Sequence, residues 1–401
     1  MIAAAALGIV ILLGVVSWAW LLRVPTIPAP RLEGELRSSS VVVQGRRRTF
    51  VFYVPRNVRP DPPLLLVLHG SMMNGRRMRA STGQAFDELA DREGFVVAYP
   101  DGYDGYWNDC RAVGDYDAKR LGIDDIAFLR ALTDSLRREY HIDANAVFAV
   151  GASNGASMTY RLGLEAPDLV RGIAAISASL PTAEYQRCVA SGRAVATMIV
   201  NGTDDPINPF EGGRVSLFGI FLRRGKVLST LATANYWANL AGHRSPPAVH
   251  AMPDTDPDDG ATATRSDWND GGGPPVTLLA IHGGGHTIPH PRLRAPRLLG
   301  HTCHDFSAAK EIWDFFAAQV PSPSAARHAL SALPSAARQS PPQESGNAVA
   351  ALRRMRGSLS ARSPSPPAPP RSAPRSDPRS RWSCRASAPA SAALRTDRRC
   401  R

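Results

Sequence analysis

Ala146-Val-Phe-Ala-Val150 runs directly into Gly151-Ala-Ser-Asn-Gly155, and a helical pattern follows over residues 156–165. An apolar run, a glycine-framed serine and a helix in immediate succession read as strand, sharp turn and helix. Glycines two positions either side of Ser153 remove side chains that would clash in so tight a turn, and the serine hydroxyl is left exposed at the carboxyl end of a buried strand. Working outward, further strand-like runs lie at residues 51–54, 64–68, 95–99, 147–150, 196–200 and 276–281. The later ones are apolar enough to be covered on both faces. Helical patterns lie between or after them at 83–92, 124–140, 156–165, 228–240 and 307–319. This alternation predicts an α/β domain with a mainly parallel sheet flanked by helices.

A serine hydroxyl needs a base before it can attack, so a histidine is expected on a later loop. His286 closes Ile281-His-Gly-Gly-Gly-His286, just past a strand-like run, where three glycines give the loop freedom to carry an imidazole to the serine. His282, His290, His301 and His304 are its competitors. A carboxylate must then orient the histidine. Asn201-Gly-Thr-Asp-Asp-Pro206 follows the 196–200 run, at the carboxyl edge of the sheet, and offers Asp204 and Asp205. With either one the chain order is serine, aspartate, histidine. Donors for an oxyanion are expected from the amide of Asn154 and from Ser71, in Leu68-His-Gly-Ser71 at the end of another strand.

The formal charge of +12 is a property of one end of the chain. Residues 321–401 hold fifteen arginines against Glu344, Asp377 and Asp397, a surplus of twelve, so residues 1–320 are neutral overall. No nucleic-acid partner is expected for the folded part. The tail, with Ser363-Pro-Ser-Pro-Pro-Ala-Pro-Pro370, is too poor in apolar residues to offset ordering entropy and is expected to be disordered, a passive solvated chain or a tether for anionic surfaces. At the other end, residues 2–22 are uncharged and mostly apolar, long enough to cross a bilayer, and read as a transmembrane anchor or signal segment over residues 1–23. The domain is then extracytoplasmic: secreted, periplasmic or membrane-anchored. Residues 24–40, with Pro25, Pro28 and Pro30, read as a linker, and 41–320 as the catalytic domain. Cys110, Cys188 and Cys303 allow one disulfide and one free thiol, with the pairing open. The segment Asp254-Thr-Asp-Pro-Asp-Asp-Gly260 lacks the glycine and glutamate a calcium loop needs at its sixth and twelfth positions and reads as a solvated acidic loop. No metal and no cofactor is expected.

Taken with Leu66-Val-Leu-His-Gly70, Gly94-Phe-Val-Val-Ala-Tyr-Pro-Asp-Gly102, Tyr106-Trp-Asn108 and Asp124-Asp-Ile-Ala-Phe-Leu129, these motifs resemble the secreted polyhydroxybutyrate depolymerase and feruloyl or acetylxylan esterase group of α/β-hydrolases. The resemblance spans about residues 41–320. It implies an α/β-hydrolase fold and a serine esterase acting through an acyl-enzyme on hydroxyalkanoate oligomers or on feruloyl or acetyl esters, with water as second substrate. It places the catalytic acid of a G-T-x-D-P motif on Asp205, beside Ser153 and His286. It also suggests Trp107 as a pocket residue, with Phe218 and Phe221 bordering the same pocket. The alternatives are a serine peptidase on the same fold and a catalytically silent, membrane-anchored binding module.

Overall fold

Five consecutive apolar residues at Leu64–Leu68 can be hidden only by cover on both sides, and in the computed structural model of the chain they form a strand with no exposed residue, inside a ten-stranded sheet. The structure describes residues 2–24, 27–216 and 224–321, the side chains of residues 2–10 and of residue 12 excepted. The strands are β1 (Glu35–Val43), β2 (Arg46–Val54), β3 (Leu64–Leu68), β4 (Val96–Pro100), β5 (Val147–Ala152), β6 (Gly172–Ile176), β7 (Ala196–Gly202), the two-residue pair β8 (Gly213–Arg214) and β9 (Lys226–Val227), β10 (Ala248–Ala251), β11 (Thr262–Trp268) and β12 (Val276–His282). All but β8 and β9 join one sheet in the order β1-β2-β4-β3-β5-β6-β7-β12-β11-β10.

The stretch from β4 to β12 is parallel throughout. Both margins are antiparallel, with β1 on β2 and β2 on β4 at one end, and β10 on β11 and β11 on β12 at the other. The sheet is therefore parallel through its six central strands, as expected, and mixed overall because of its antiparallel margins. Water reaches the margins, as the four exposed residues of β10 attest, and antiparallel ribbons tolerate one wet face where parallel strands do not. Strand β1 also begins at Glu35, inside the segment read as a linker, because polar Glu35 to Ser40 pair residue for residue with β2.

The helices are α1 (Ile2–Leu22), α2 (Gly75–Ser81), α3 (Ala85–Glu93), α4 (Asp117–Arg120), α5 (Asp125–Tyr140), α6 (Asn154–Glu165), α7 (Thr230–Leu240) and α8 (Ala308–Ala317). Side chains alternate across a strand, so each strand feeds two cores. Leu64, Leu66 and Leu68 pack with Phe128 and Leu132 of α5, Tyr160 of α6 and Trp237 of α7. Leu65 and Val67 belong to the opposite core, with Phe86 and Leu89 of α3 and Ile312 and Trp313 of α8. Four of these helices start where a side chain accepts an otherwise unpaired amide: Asn74 from Arg77, Asp124 from Ala127, Ser229 from Ala232 and Ser307 from Lys310. Helix α6 has no such side-chain cap.

Helix α1 forms over the residues read as a membrane anchor, and Trp20 meets Arg297, whose guanidinium lies 4.6 Å from the indole. Among the described residues no helix is long and apolar enough to cross a membrane. Apart from Pro321, the tail expected at residues 321–401 lies outside the described residues, as do Cys384 and Cys400. Of the three domain cysteines, Cys110 and Cys188 are joined, with Cα atoms 4.9 Å apart, and Cys303 is free and buried.

Candidate active site

At the carboxyl end of β5 the chain turns so sharply that Ser153 adopts φ 54° and ψ −116°, a conformation that non-glycine residues avoid and that costs on the order of 1–3 kcal/mol. The glycines of the pentapeptide make the turn possible by close approach. A Cβ on Gly151 would lie 2.3 Å from the carbonyl carbon of Gly155, and one on Gly155 would lie 2.4 Å from the carbonyl oxygen of Leu68. The Ser153 amide donates to the Ile176 carbonyl oxygen at 2.8 Å, which ties the turn to the end of β6.

One strand further, β7 ends in the loop that carries Asp205. Its Oδ1 accepts the amides of Ile207 at 2.7 Å and Asn208 at 2.8 Å, so the loop folds around the carboxylate. Its Oδ2 is 2.7 Å from Nδ1 of His286, just past β12, and the two side chains are 1% and 10% exposed. The structure thus brings Asp205 and His286 into contact. It leaves Asp204 exposed, bonded to the hydroxyl of its neighbour Thr203. The His286 loop reaches the serine turn through Thr287, whose carbonyl oxygen accepts from the Ser177 hydroxyl at 3.3 Å just after β6. Ser153 Oγ and His286 Nε2 make no hydrogen bond with a described residue, which leaves both polar atoms available.

The glycines before His286 do not act as a flexible lead, as the sequence suggested. A Cβ on Gly285 would lie 2.0 Å from the Leu299 carbonyl oxygen, and the amides of Gly285 and His286 donate to His301 and Leu299. The loop is clamped. The competing histidines are engaged elsewhere: His282 with the Thr264 hydroxyl, His301 with the Asp259 carbonyl, His304 with the His290 carbonyl. His290 Nδ1 accepts the amides of Arg292 and Leu293, and burial lowers its pKa.

The amides of Ser71 and Asn154 donate to no described residue. Asn154 is the first residue of α6, where an amide has no partner within the helix. A Cβ on Gly70 would lie 3.6 Å from the Ser153 Cβ, which sets the Gly70-Ser71 segment against the Ser153 turn. His69 fixes that segment. Its Nε2 accepts from the Gly102 amide at 2.8 Å, which leaves the proton on Nδ1 to donate to the Gly70 carbonyl at 2.7 Å; burial lowers its pKa and holds the ring neutral. Trp107 is fully buried, its indole donating to the His69 carbonyl oxygen. It offers no surface to a ligand, and its role is to brace the strand end. Phe218 and Phe221 lie outside the described residues.

Sequence reasoning missed the support behind Asn154. Its side-chain carbonyl accepts from the Trp107 amide at 2.8 Å, and its amide group donates to Asp109 at 2.6 Å. Asp109 is fully buried and also held by Arg111 and Lys119. Burial pushes its carboxyl pKa up, but the two cations outweigh that and bring it down to about 2. The available signal was an amide side chain, rather than an apolar one, in the position after the serine. A carboxyl lowered on folding contributes stability above its ordinary value near 3.8 and loses that contribution as pH falls toward 2. Asp109→Asn is expected to cost about 3 kcal/mol at pH 7, because it strands buried cations, and to lose less than the wild type between pH 4 and pH 2. Urea unfolding of both proteins at pH 7, 4 and 2.5 checks this, and parallel acid limbs would remove Asp109 from the account.

Among the described residues one grouping of metal-ligand type occurs, Asp259, Cys303 and Asp305. The backbone already uses it: Asp259 accepts the Ala261 amide, and Asp305 accepts those of Thr255 and Asp256. Burial pushes the Cys303 thiol up to about 12. The acidic loop is therefore not wholly solvated, since Asp259 is buried.

No family model matches the sequence. Curated relatives do, among them the following three. NocK of Nocardia uniformis subsp. tsuyamanensis, named as an esterase, is 28% identical over 305 residues, 73% of this chain and 85% of that one. Acetylxylan esterase A of Talaromyces purpureogenus is 26% identical over 254 residues, 59% of this chain and 63% of that one. A poly(3-hydroxybutyrate) depolymerase of Ralstonia pickettii is 33% identical over 145 residues, 33% of this chain and 29% of that one. The chain thus spans most of NocK but less than two thirds of the other two. Among solved structures, an acetyl xylan esterase from Aspergillus awamori aligns with a TM-score of 0.47 at 16% identity, over 70% of this chain and 99% of that one, too distant a likeness to add to the argument. The relatives of this chain are esterases, acetylxylan esterases and polyhydroxybutyrate depolymerases, the group that its motifs resemble.

Proposed function

We propose that the chain is a serine esterase that cleaves acetyl or feruloyl esters or short hydroxyalkanoate oligomers through an acyl-enzyme. The observation that carries this reading is the 2.7 Å contact between Asp205 and His286, on a loop beside the strained turn of Ser153. Asp205 keeps the proton of His286 on Nδ1, so that Nε2 is free to take the proton of Ser153 as its Oγ bonds to the carbonyl carbon. The amides of Ser71 and Asn154 receive the oxyanion, and Asp109 positions the second of them through the Asn154 side chain. As the tetrahedral species collapses, His286 returns the proton to the departing alcohol. Water repeats the sequence on the acyl-enzyme and frees the acid and Ser153. The names of the relatives support the choice of esters. Export, by way of the apolar residues 2–22, is part of the proposal; the Cys110–Cys188 disulfide supports it, because such bonds persist in oxidising compartments.

A fluorophosphonate probe tests the reading. The full chain is expected to take up one probe on the peptide containing Ser153, with parallel loss of 4-nitrophenyl acetate hydrolysis. Labelling elsewhere, or hydrolysis that survives complete labelling of Ser153, overturns it; hydrolysis of peptides with none of esters favours the peptidase.

A further inference from the structure

Arg224 stands beside the oxyanion segment without a carboxylate. Its Nη1 donates to the Ser71 hydroxyl at 2.7 Å, and the guanidinium carbon lies 5.5 Å from the ring of Tyr106 and 5.3 Å from that of Tyr116, themselves stacked 4.7 Å apart. The backbone holds it in place, its amide donating to the Val215 carbonyl. Among the described residues it makes no ion pair; of the charged side chains that act on it, Arg111 is of its own sign and Asp109 is already committed to Arg111 and Lys119. Asp115 and Asp117 are occupied by Arg120. A half-buried cation without an anion is unfavourable, and two aromatic faces compensate only part of its lost hydration. A guanidinium carries five N–H groups in a planar fork that suits a carboxylate, and one hydrogen bond from this one is filled by a described side chain.

We infer that Arg224 is a specificity residue that binds a carboxylate carried by the substrate, so that the preferred esters are anionic close to the scissile bond. The inference rests on the esterase reading and names the substrate class of the same site. Ser71 links the two functions, since it follows Gly70, which packs against the Ser153 turn, while its hydroxyl accepts from Arg224. The carboxylate sits either on the acyl part, as in a half-ester of a dicarboxylic acid, or on the alcohol part, as in an ester of a hydroxy acid.

Two substrate pairs read this out in the full chain: mono-4-nitrophenyl glutarate against 4-nitrophenyl butyrate for the acyl side, and 4-carboxyphenyl acetate against its methyl ester for the alcohol side. The readout is the ratio of kcat/KM within a pair, compared between the wild type and Arg224→Met, which is insensitive to the fraction of protein folded. In one pair the ratio is expected to fall about tenfold or more in Arg224→Met, as for loss of a charge-assisted hydrogen bond, and to be intermediate in Arg224→Lys. Glutarate or 4-hydroxybenzoate, whichever matches that pair, is expected to inhibit the wild type competitively. Unchanged ratios in both pairs, with neutral esters still cleaved in a Ser153-dependent way, make Arg224 a structural cation and overturn the inference while the esterase stands. If Arg224→Met does not fold, the ratios in Arg224→Lys decide by the same criterion. Absence of Ser153-dependent cleavage of every ester overturns the esterase reading, and this inference with it.

Discussion

Replacing Ser153 by alanine is expected to lower kcat on 4-nitrophenyl acetate by about 10⁴-fold or more with little change in KM. The substitution removes the nucleophile and little else. Residue 153 is held by the hydrogen bond from its amide to the Ile176 carbonyl oxygen and by the two glycines that let the turn pass under Leu68, and neither depends on the hydroxyl. Alanine therefore inherits the same backbone, with a stability within about 1 kcal/mol of the wild type. Steady-state kinetics beside thermal unfolding separate the chemical loss from a structural one. A variant that is folded and retains a tenth of the activity would mean that water is activated directly and that no acyl-enzyme forms on Ser153.

The second large effect is expected from Asp205→Asn, again about 10⁴-fold in kcat. The reason lies in the two oxygens of Asp205. Oδ1 serves the amides of Ile207 and Asn208, and an asparagine carbonyl can do the same. The asparagine amide then faces Nδ1 of His286 as a donor, so Nδ1 must accept and the histidine proton moves to Nε2, where it blocks transfer from Ser153. The variant should fold and fail. Asp204→Asn is the matching control; its side chain is exposed, and kcat should stay within about twofold. Equal losses from the two variants would mean that the loop, and not the carboxylate of Asp205, is what His286 requires.

Much of the fold was legible because buried parallel strands announce themselves. Run 64–68 is apolar on every residue and 196–200 on all but Thr197, and the helices between them follow the expected alternation. Strand β6 escaped notice. Gly172-Ile-Ala-Ala-Ile176 has glycine or alanine, which have little strand preference, at three of its five positions, and there the neighbouring layers come close; a Cβ on Gly172 would already sit 3.2 Å from the ring of Phe316. Strands β10 and β11 were equally faint, since a wet margin carries no apolar pattern.

The site divides in the same way. Ser153, Asp205 and His286 each follow a readable strand, so their place at one edge of the sheet could be inferred. The choice between Asp204 and Asp205 needed the resemblance, because adjacent residues on a loop differ only in where the loop aims them. Asp109 and Arg224 were invisible for another reason. Each is hydrogen-bonded to a residue distant in sequence, Asp109 to Asn154 and Arg224 to Ser71, and no local spacing records such a link.

The order of the strands has a consequence for a chain still being made. The turn of Ser153 is complete once β3, β5 and β6 have met, but His286 arrives only when β12 has been inserted between β7 and β11. An emerging or truncated polypeptide can therefore display the Ser153 turn before His286 is in place. On the esterase reading proposed above, turnover appears only once the last parallel seam has closed, so its onset during refolding would time the docking of β12 more directly than any optical measure of helix or strand.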